Sequence, residues 1–364
     1  MRKHTLYVAT FVALSLFLAP STSLVAQSSR IVVATGLDNP RGLGFGPDGA
    51  LYVVEAGRGG SSALCIPLPD APGVRCYGPS GAVTRVSGIG DQRRVVAGLP
   101  SLAGANGQAT GPHDIGFGLG NAWVTIGLGA DPAVRAPLEA AGVRMGRLVR
   151  ITPNGQWTEL IDLAAHEATN NPAGGTVDSN PYGLLIQSDR AVFADAGGNA
   201  LINVAVTGAM STLAVFPDRT ATHPFTGATI PLQSVPTTVA VAPDGSLLVG
   251  ELTGFPFPVG GARVYRVPAN GGTPQVVATG FTNIIDIAVG PAGDGYVLEH
   301  DADGLLGPGL AGRLVRVNAN GSQTVLSGAA LVKPGGVAIG PDGALYITNF
   351  STSVGSGEVV RIVP

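Results

Sequence analysis

The chain has 364 residues, a formal charge of −3, and 45% apolar but only 12% charged residues. No basic stripe runs along it, which argues against nucleic acid or an anionic membrane as the main partner. Gly 55 and Pro 28 together approach a quarter of the sequence, and they recur periodically between apolar runs, the pattern of a turn-dense all-β protein.

Taken in order, Met1-Arg-Lys-His precedes an apolar run over 6–19 and the segment Ser21-Thr-Ser-Leu-Val-Ala-Gln27. That order is the n-, h- and c-region of a secretory signal peptide, residues 1–26, and the run is too short to span a bilayer comfortably. The expectation is an exported protein, periplasmic or extracellular, whose remaining chain 27–364 is one domain with no membrane insertion. A strand is expected at Ile31-Val-Val-Ala-Thr35. Next comes Asn39-Pro-Arg-Gly-Leu-Gly-Phe-Gly-Pro-Asp-Gly-Ala-Leu-Tyr-Val-Val-Glu55, two short strands joined by a turn. In that turn Pro47 presets φ, Asp48 can bond back to the chain and Gly49 supplies a positive φ. Cys65 and Cys76, the sole cysteines, flank a Pro-rich loop; in an exported protein they predict a disulfide.

The hairpin returns as Pro243-Asp-Gly-Ser-Leu-Leu-Val-Gly-Glu251, Pro291-Ala-Gly-Asp-Gly-Tyr-Val-Leu-Glu299 and Pro341-Asp-Gly-Ala-Leu-Tyr-Ile-Thr-Asn349. Two further units start at Gly111-Pro-His-Asp-Ile and Asn180-Pro-Tyr-Gly-Leu, without that turn. A repeat of this kind sets the architecture. The sixth unit lacks an outer strand, while the strand at 31–35 precedes a complete first unit. Pairing 31–35 beside 358–362 closes a ring, so the reading is a six-bladed β-propeller of four-stranded blades. At about 56 residues per blade the repeat exceeds the usual ~40–45, which puts the surplus into loops at 57–80, 99–110, 127–145 and 166–179.

Aligning the hairpins places one residue per blade just past the second strand: Glu55, Ile126, Asp195, Glu251, Glu299 and Asn349. Converging carboxylates need a cation, water or protons between them, and Ca²⁺ suits carboxylate and amide oxygens; alternatively each residue caps its own strand end. A second set lies at the entrance to the innermost strands: Arg41, His113, Asp114, Tyr182, Thr237 and Asp286. His113 beside Asp114 could serve as base, ligand or structural pair, although strand alternation points neighbours to opposite faces. His300 could face the same mouth. No nucleophile elbow, zinc-protease helix or dinucleotide fingerprint occurs.

The opening Gly-Leu-Asp-Asn-Pro-Arg-Gly-Leu-Gly-Phe-Gly-Pro-Asp-Gly-Ala-Leu-Tyr-Val resembles the ScyD/ScyE family of exported bacterial proteins. So do Gly-Pro-His-Asp-Ile…Trp-Val-Thr-Ile-Gly-Leu-Gly and Asn-Pro-Tyr-Gly-Leu…Asp-Ala-Gly-Gly-Asn. That resemblance implies a fold and an address, most members having no assigned activity. More distantly, Asn-Pro-x-Gly…Pro-Asp-Gly…Leu-Tyr-Val is similar to NHL-repeat propellers and gluconolactonase-like enzymes. The latter likeness implies a divalent metal held by Glu, Asn and Asp, types that Glu55, Asn349 and Asp195 could match. Soluble quinoprotein sugar dehydrogenases are also similar, but they carry Trp after the Pro where this chain has Arg41.

The function expected is a binding or scaffold module for a small molecule or protein, as a monomer. The alternative is a Ca²⁺-dependent lactonase or hydrolase acting on a small ester or sugar lactone at the channel mouth.

Overall fold

The Pro-Asp-Gly turn forms as its residues demand. Gly49 takes φ 74°, its N–H reaches the Gly46 carbonyl at 2.9 Å, and the Ala50 N–H reaches Asp48 Oδ1 at 3.2 Å. The Asp48 carboxylate also accepts from Tyr52 Oη (3.1 Å) and Arg85 Nη2 (2.8 Å). The same trio returns in the sixth blade as Asp342, Tyr346 and Arg361. These ties are exposed and orient the turns more than they stabilise them.

The computed structural model describes residues 30–69, 73–327 and 331–363; the expected signal peptide lies outside them. The sheets make six antiparallel blades. Blade one holds Pro40–Phe45, Leu51–Glu55, Val74–Gly88 and Asp91–Ala103. Blade two holds Pro112–Gly118, Asn121–Ile126, Arg147–Ile151 and Trp157–Asp162. Blade three holds Pro181–Ile186, Arg190–Asp195, Ala200–Ala205 and Met210–Val215. Blade four holds Pro236–Val241, Leu247–Glu251, Ala262–Val267 and Gln275–Phe281. Blade five holds Ile284–Val289, Gly295–Glu299, Arg313–Val317 and Gln323–Ser327. Blade six has Gly336–Ile339, Leu345–Asn349 and Gly357–Ile362, completed by Arg30–Leu37 from the front of the chain. The closing strand therefore lies where the missing outer strand required it.

Each blade is sandwiched between neighbours, so both faces must be apolar. Val53 and Val54 show the rule: both are fully buried, yet Val53 packs with Val33, Leu43 and Val359 towards blade six. Val54 packs with Val83, Ile115 and Val124 towards blade two. Burying each such side chain contributes about 1.5–3 kcal/mol.

All four of the expected long loops carry some regular structure. The segment 57–80 holds Cys65–Pro67 paired with the extended third strand, with Cys65 and Cys76 directly opposite and joined by the expected disulfide. The outer strand of blade one runs on to Ala103, through residues that read as loop. Residues 127–145 contain a short 3-10 turn and helix, Pro132–Arg135 and Ala136–Ala140, and Ala164–Asn170 is a second helix. A hairpin, Arg219–Thr222 with Thr229–Leu232, is inserted between blades three and four.

Because Arg30–Leu37 supplies the last blade's outer strand, deleting 30–37 exposes the edge formed by Gly357–Ile362. The deletion is expected to lower the melting temperature by more than about 10 °C and to promote association through that edge. Differential scanning calorimetry with size-exclusion chromatography checks both.

Candidate functional site at the channel mouth

The acidic ring residues sit where the hairpin alignment puts them, at the ends of the second strands, but they do not converge. Each turns into its own blade and accepts hydrogen bonds from the segment that enters the first strand. Asp38 N–H donates to Glu55 Oε2 (2.7 Å), Ser179 Oγ to Asp195 Oδ2 (2.7 Å) and Ser234 Oγ to Glu251 Oε2 (2.6 Å). Thr282 N–H donates to Glu299 Oε1 (2.8 Å) and Val332 N–H to Asn349 Oδ1 (2.6 Å). The three glutamates are fully buried, and a buried carboxylate needs a partner. Arg94 serves Glu55 at 2.6 Å, Arg219 of the inserted hairpin serves Glu251, and Arg313 serves Glu299. Asn349 donates to Glu358 Oε1 at 2.8 Å, and Ile126 is buried among apolar neighbours.

A calcium ion would need several oxygens turned to one centre. Here the oxygens are bonded inside separate blades, and among the described residues no group of three or more His, Cys, Asp and Glu is placed to hold a metal. The donor set does not fit Ca²⁺ at the ring.

The entrance set does converge. It lies at the first-strand start, the same end of the propeller, where a register shift follows the proline in blades one to four. Arg41 donates through Nη2 to the Ala109 carbonyl (2.9 Å) and through Nη1 to Ser351 Oγ (3.4 Å), while its buried Nε has no partner. No carboxylate pairs with this guanidinium among the described residues. His113 bonds the Pro181 carbonyl through Nδ1 at 3.0 Å, and the Tyr182 ring lies against its own, centroids 4.4 Å apart. His300 bonds the Pro334 carbonyl through Nδ1 at 2.8 Å. A carbonyl only accepts, so each Nδ1 carries the proton and each Nε2 keeps its lone pair. Burial, with Arg41 adding to it, lowers His113 to about 3. Burial also lowers His300 to about 3, with Lys333 and Arg41 pushing the same way. Both imidazoles are neutral at any ordinary pH. Thr237 is structural, donating to the Ile284 carbonyl at 2.8 Å.

Asp114 and Asp286 occupy the next position, that of Gly42 in blade one; Ile285 stands where Arg41 does. Asp114 accepts from Leu184 N–H of blade three (2.7 Å), and Asp286 from Val337 N–H of blade six and Thr238 Oγ1 of blade four (2.8 and 2.7 Å). Each carboxylate thus ties neighbouring inner strands together, in blades two and five, which lie opposite one another. A Cβ on Gly42 would come within 2.2 Å of Asp114 Oδ1, so only glycine leaves room for that carboxylate. Burial raises both acids, Asp286 to about 6, and the Asp286 charge raises Asp114 further. Contrary to strand alternation, His113 and Asp114 both reach blade three, because the register shift separates them.

Sequence reasoning missed Glu167, buried on the helix Ala164–Asn170. It is raised to about 7, first by burial and then by the charges of Asp195 and Asp178. Its only legible signal was an acidic residue inside an apolar turn of helix.

No protein-family model matches the chain, and no curated protein sequence does. Solved structures do. A glucose dehydrogenase aligns with TM-score 0.53 at 14% identity, covering 92% of this chain and 99% of that one. A streptogramin B lyase aligns with TM-score 0.50 at 14% identity, covering 94% and 100%. A Bacteroides thetaiotaomicron protein of unknown function aligns with TM-score 0.54 at 8% identity, covering 92% and 72%. The class is thus a six-bladed β-propeller of the kind that lyases and sugar dehydrogenases also use. At these identities the likeness concerns the fold alone.

Two outcomes follow. Glu299→Ala strands the Arg313 guanidinium and the Thr282 N–H, and is expected to cost about 3–5 kcal/mol in chemical denaturation. For Glu167 the folded protein holds a proton that the unfolded chain, near 4.5, releases. Its stability is therefore complete below about 4.5 and declines as pH rises towards about 7. Glu167→Gln should flatten that decline in melting temperature measured from pH 4 to 8.

Proposed function

We propose that this protein is an exported binding propeller, of the ScyD/ScyE type, that captures a small hydroxylated carboxylate at the mouth of its channel. The observation that carries this reading is Arg41: a partly buried guanidinium with no carboxylate partner among the described residues, beside two neutral imidazoles. A guanidinium recognises carboxylate oxygens through charge-assisted hydrogen bonds. The Nε2 lone pairs of His113 and His300, which have no protein donor among the described residues, can accept from ligand hydroxyls. Tyr182 offers a flat apolar wall. Export is supported by the Cys65–Cys76 disulfide, a bond at home in oxidising compartments. The reading needs no metal, and the carboxylates suited to one are committed elsewhere.

Binding is expected to depend on pH through Asp286. Tyr182 feels the charges of Arg41, Asp286 and Asp114 together, so all act on one small volume. Above about 6 Asp286 ionises and opposes an incoming anion, so affinity should be higher at pH 5 than at pH 8. Calorimetric titration with gluconate, against glucose and gluconolactone as neutral controls, tests the reading. Gluconate should bind, and Arg41→Met should weaken it about 10- to 100-fold, the value of one charged hydrogen-bonded contact. Acid release from the lactone above its spontaneous rate would make the protein a hydrolase instead, and equal binding of all three would remove Arg41 from recognition.

A further inference from the structure

At the opposite end of the propeller, between blades one and two, a cleft of about 1010 Å³ opens beside the Pro-Asp-Gly turn. It is at the upper end of the size range of small-molecule sites. Its inner wall is apolar and aromatic: Phe45, Ile115, and the tilted pair Tyr52–Phe117 with centroids 5.1 Å apart. Blade two roofs it with the turn 152–155, which leans on the outer strand of blade one. Gly155 (φ 79°) approaches Val95 so closely that a Cβ would lie 2.9 Å from the Val95 carbonyl oxygen, and any larger residue would lift the roof. Three arginines reach the wall. Arg85 is held by Asp48 at 2.8 Å and Arg94 by Glu55 at 2.6 Å. Arg93, exposed on the outer strand, has no ion pair among the described residues.

We propose that this cleft is a second binding site, separate from the channel mouth, for a planar apolar molecule that ends in a carboxylate. The aromatic wall takes the apolar body, since ring faces stack on tilted rings at this spacing. Arg93 takes the carboxylate, because it is the cation on that wall not already neutralised. The volume exceeds what a bare anion fills, and the neutralised arginines leave a single anchoring point, so one acidic end is matched to one apolar end.

The test uses the intact protein with 8-anilinonaphthalene-1-sulfonate, an apolar aromatic anion, read by its fluorescence and competed with planar 2-naphthoate and with neutral 2-naphthalenemethanol. One probe per chain is expected, displaced by naphthoate at concentrations at least about tenfold below those the neutral alcohol needs. Arg93→Ala, a surface change that leaves folding intact, should weaken the probe by about tenfold. Ala122→Trp, on the inner wall, should abolish binding with circular dichroism unchanged, and Arg41→Met should change nothing. Absence of saturable binding, retention of binding in Ala122→Trp, or loss in Phe225→Ala, which would place the probe on the exposed Phe225 surface, overturns the site. Equal affinity in Arg93→Ala overturns the anionic class of ligand.

Discussion

The mouth of this propeller depends on a buried hydrogen bond repeated around the ring. A carboxylate or amide at the end of each second strand, Ile126 of blade two excepted, grips the segment that leads into the first strand. In blade one that is Asp38 bonded to Glu55, in blade five Thr282 bonded to Glu299. Without the grip, the entering segment would have orphaned backbone donors in a dry environment, a costly state. With it, the residues that follow are delivered to the channel at fixed positions. Arg41, His113 and Tyr182 stand at one level because Glu55 and Asp195 hold the segments ahead of Arg41 and Tyr182, while Thr110 pairs with the outer strand of blade one just before His113. The side chains that first suggest a metal site are better understood as the frame that positions the entrance residues.

The mouth combines opposed demands. Asp114 and Asp286 are needed as acceptors for neighbouring inner strands, yet burial and mutual repulsion favour their protonated forms. The Leu184 and Val337 N–H groups and the Thr238 hydroxyl ease that conflict by donating to the carboxylates. In the proposed binding mode Arg41 is the group that would attract the anion, and the two aspartates, once ionised, would oppose it. His113 and His300, which donate Nδ1–H to backbone carbonyls and are kept neutral by burial, add no charge to this balance.

The fold was legible because turn chemistry repeats visibly: Pro47-Asp48-Gly49 predicts a hairpin by itself, and its recurrence predicts a ring. Even the closing strand was readable, since Ile31-Val-Val-Ala-Thr-Gly-Leu matches the fourth-strand sequence ending at Phe281. The position of each ring residue in the blades that carry the turn was also readable, from its offset to that turn. Its direction was not. Direction depends on register shifts after Pro40, Pro112 and Pro181, which break the two-residue alternation that sequence reasoning assumes. The partners were hidden too. Arg94 comes from an outer strand, Arg219 from an inserted hairpin and Arg313 from a third strand, so no spacing rule links them to the glutamates they serve. The cleft was invisible for a different reason, being made by the angle between two blades and the lean of one turn.

The closing strand has a mechanical meaning. Arg30 pairs with Ile362 and Leu37 with Gly357, antiparallel, so both ends of the folded chain leave the ring at the same edge of one ladder. Tension between those ends would load one rung at a time, as a zipper is opened, instead of shearing all the rungs together. The seam that completes the propeller is therefore its weakest line under pull, and a molecule anchored at one end and tugged at the other would yield there while its other blades stay whole.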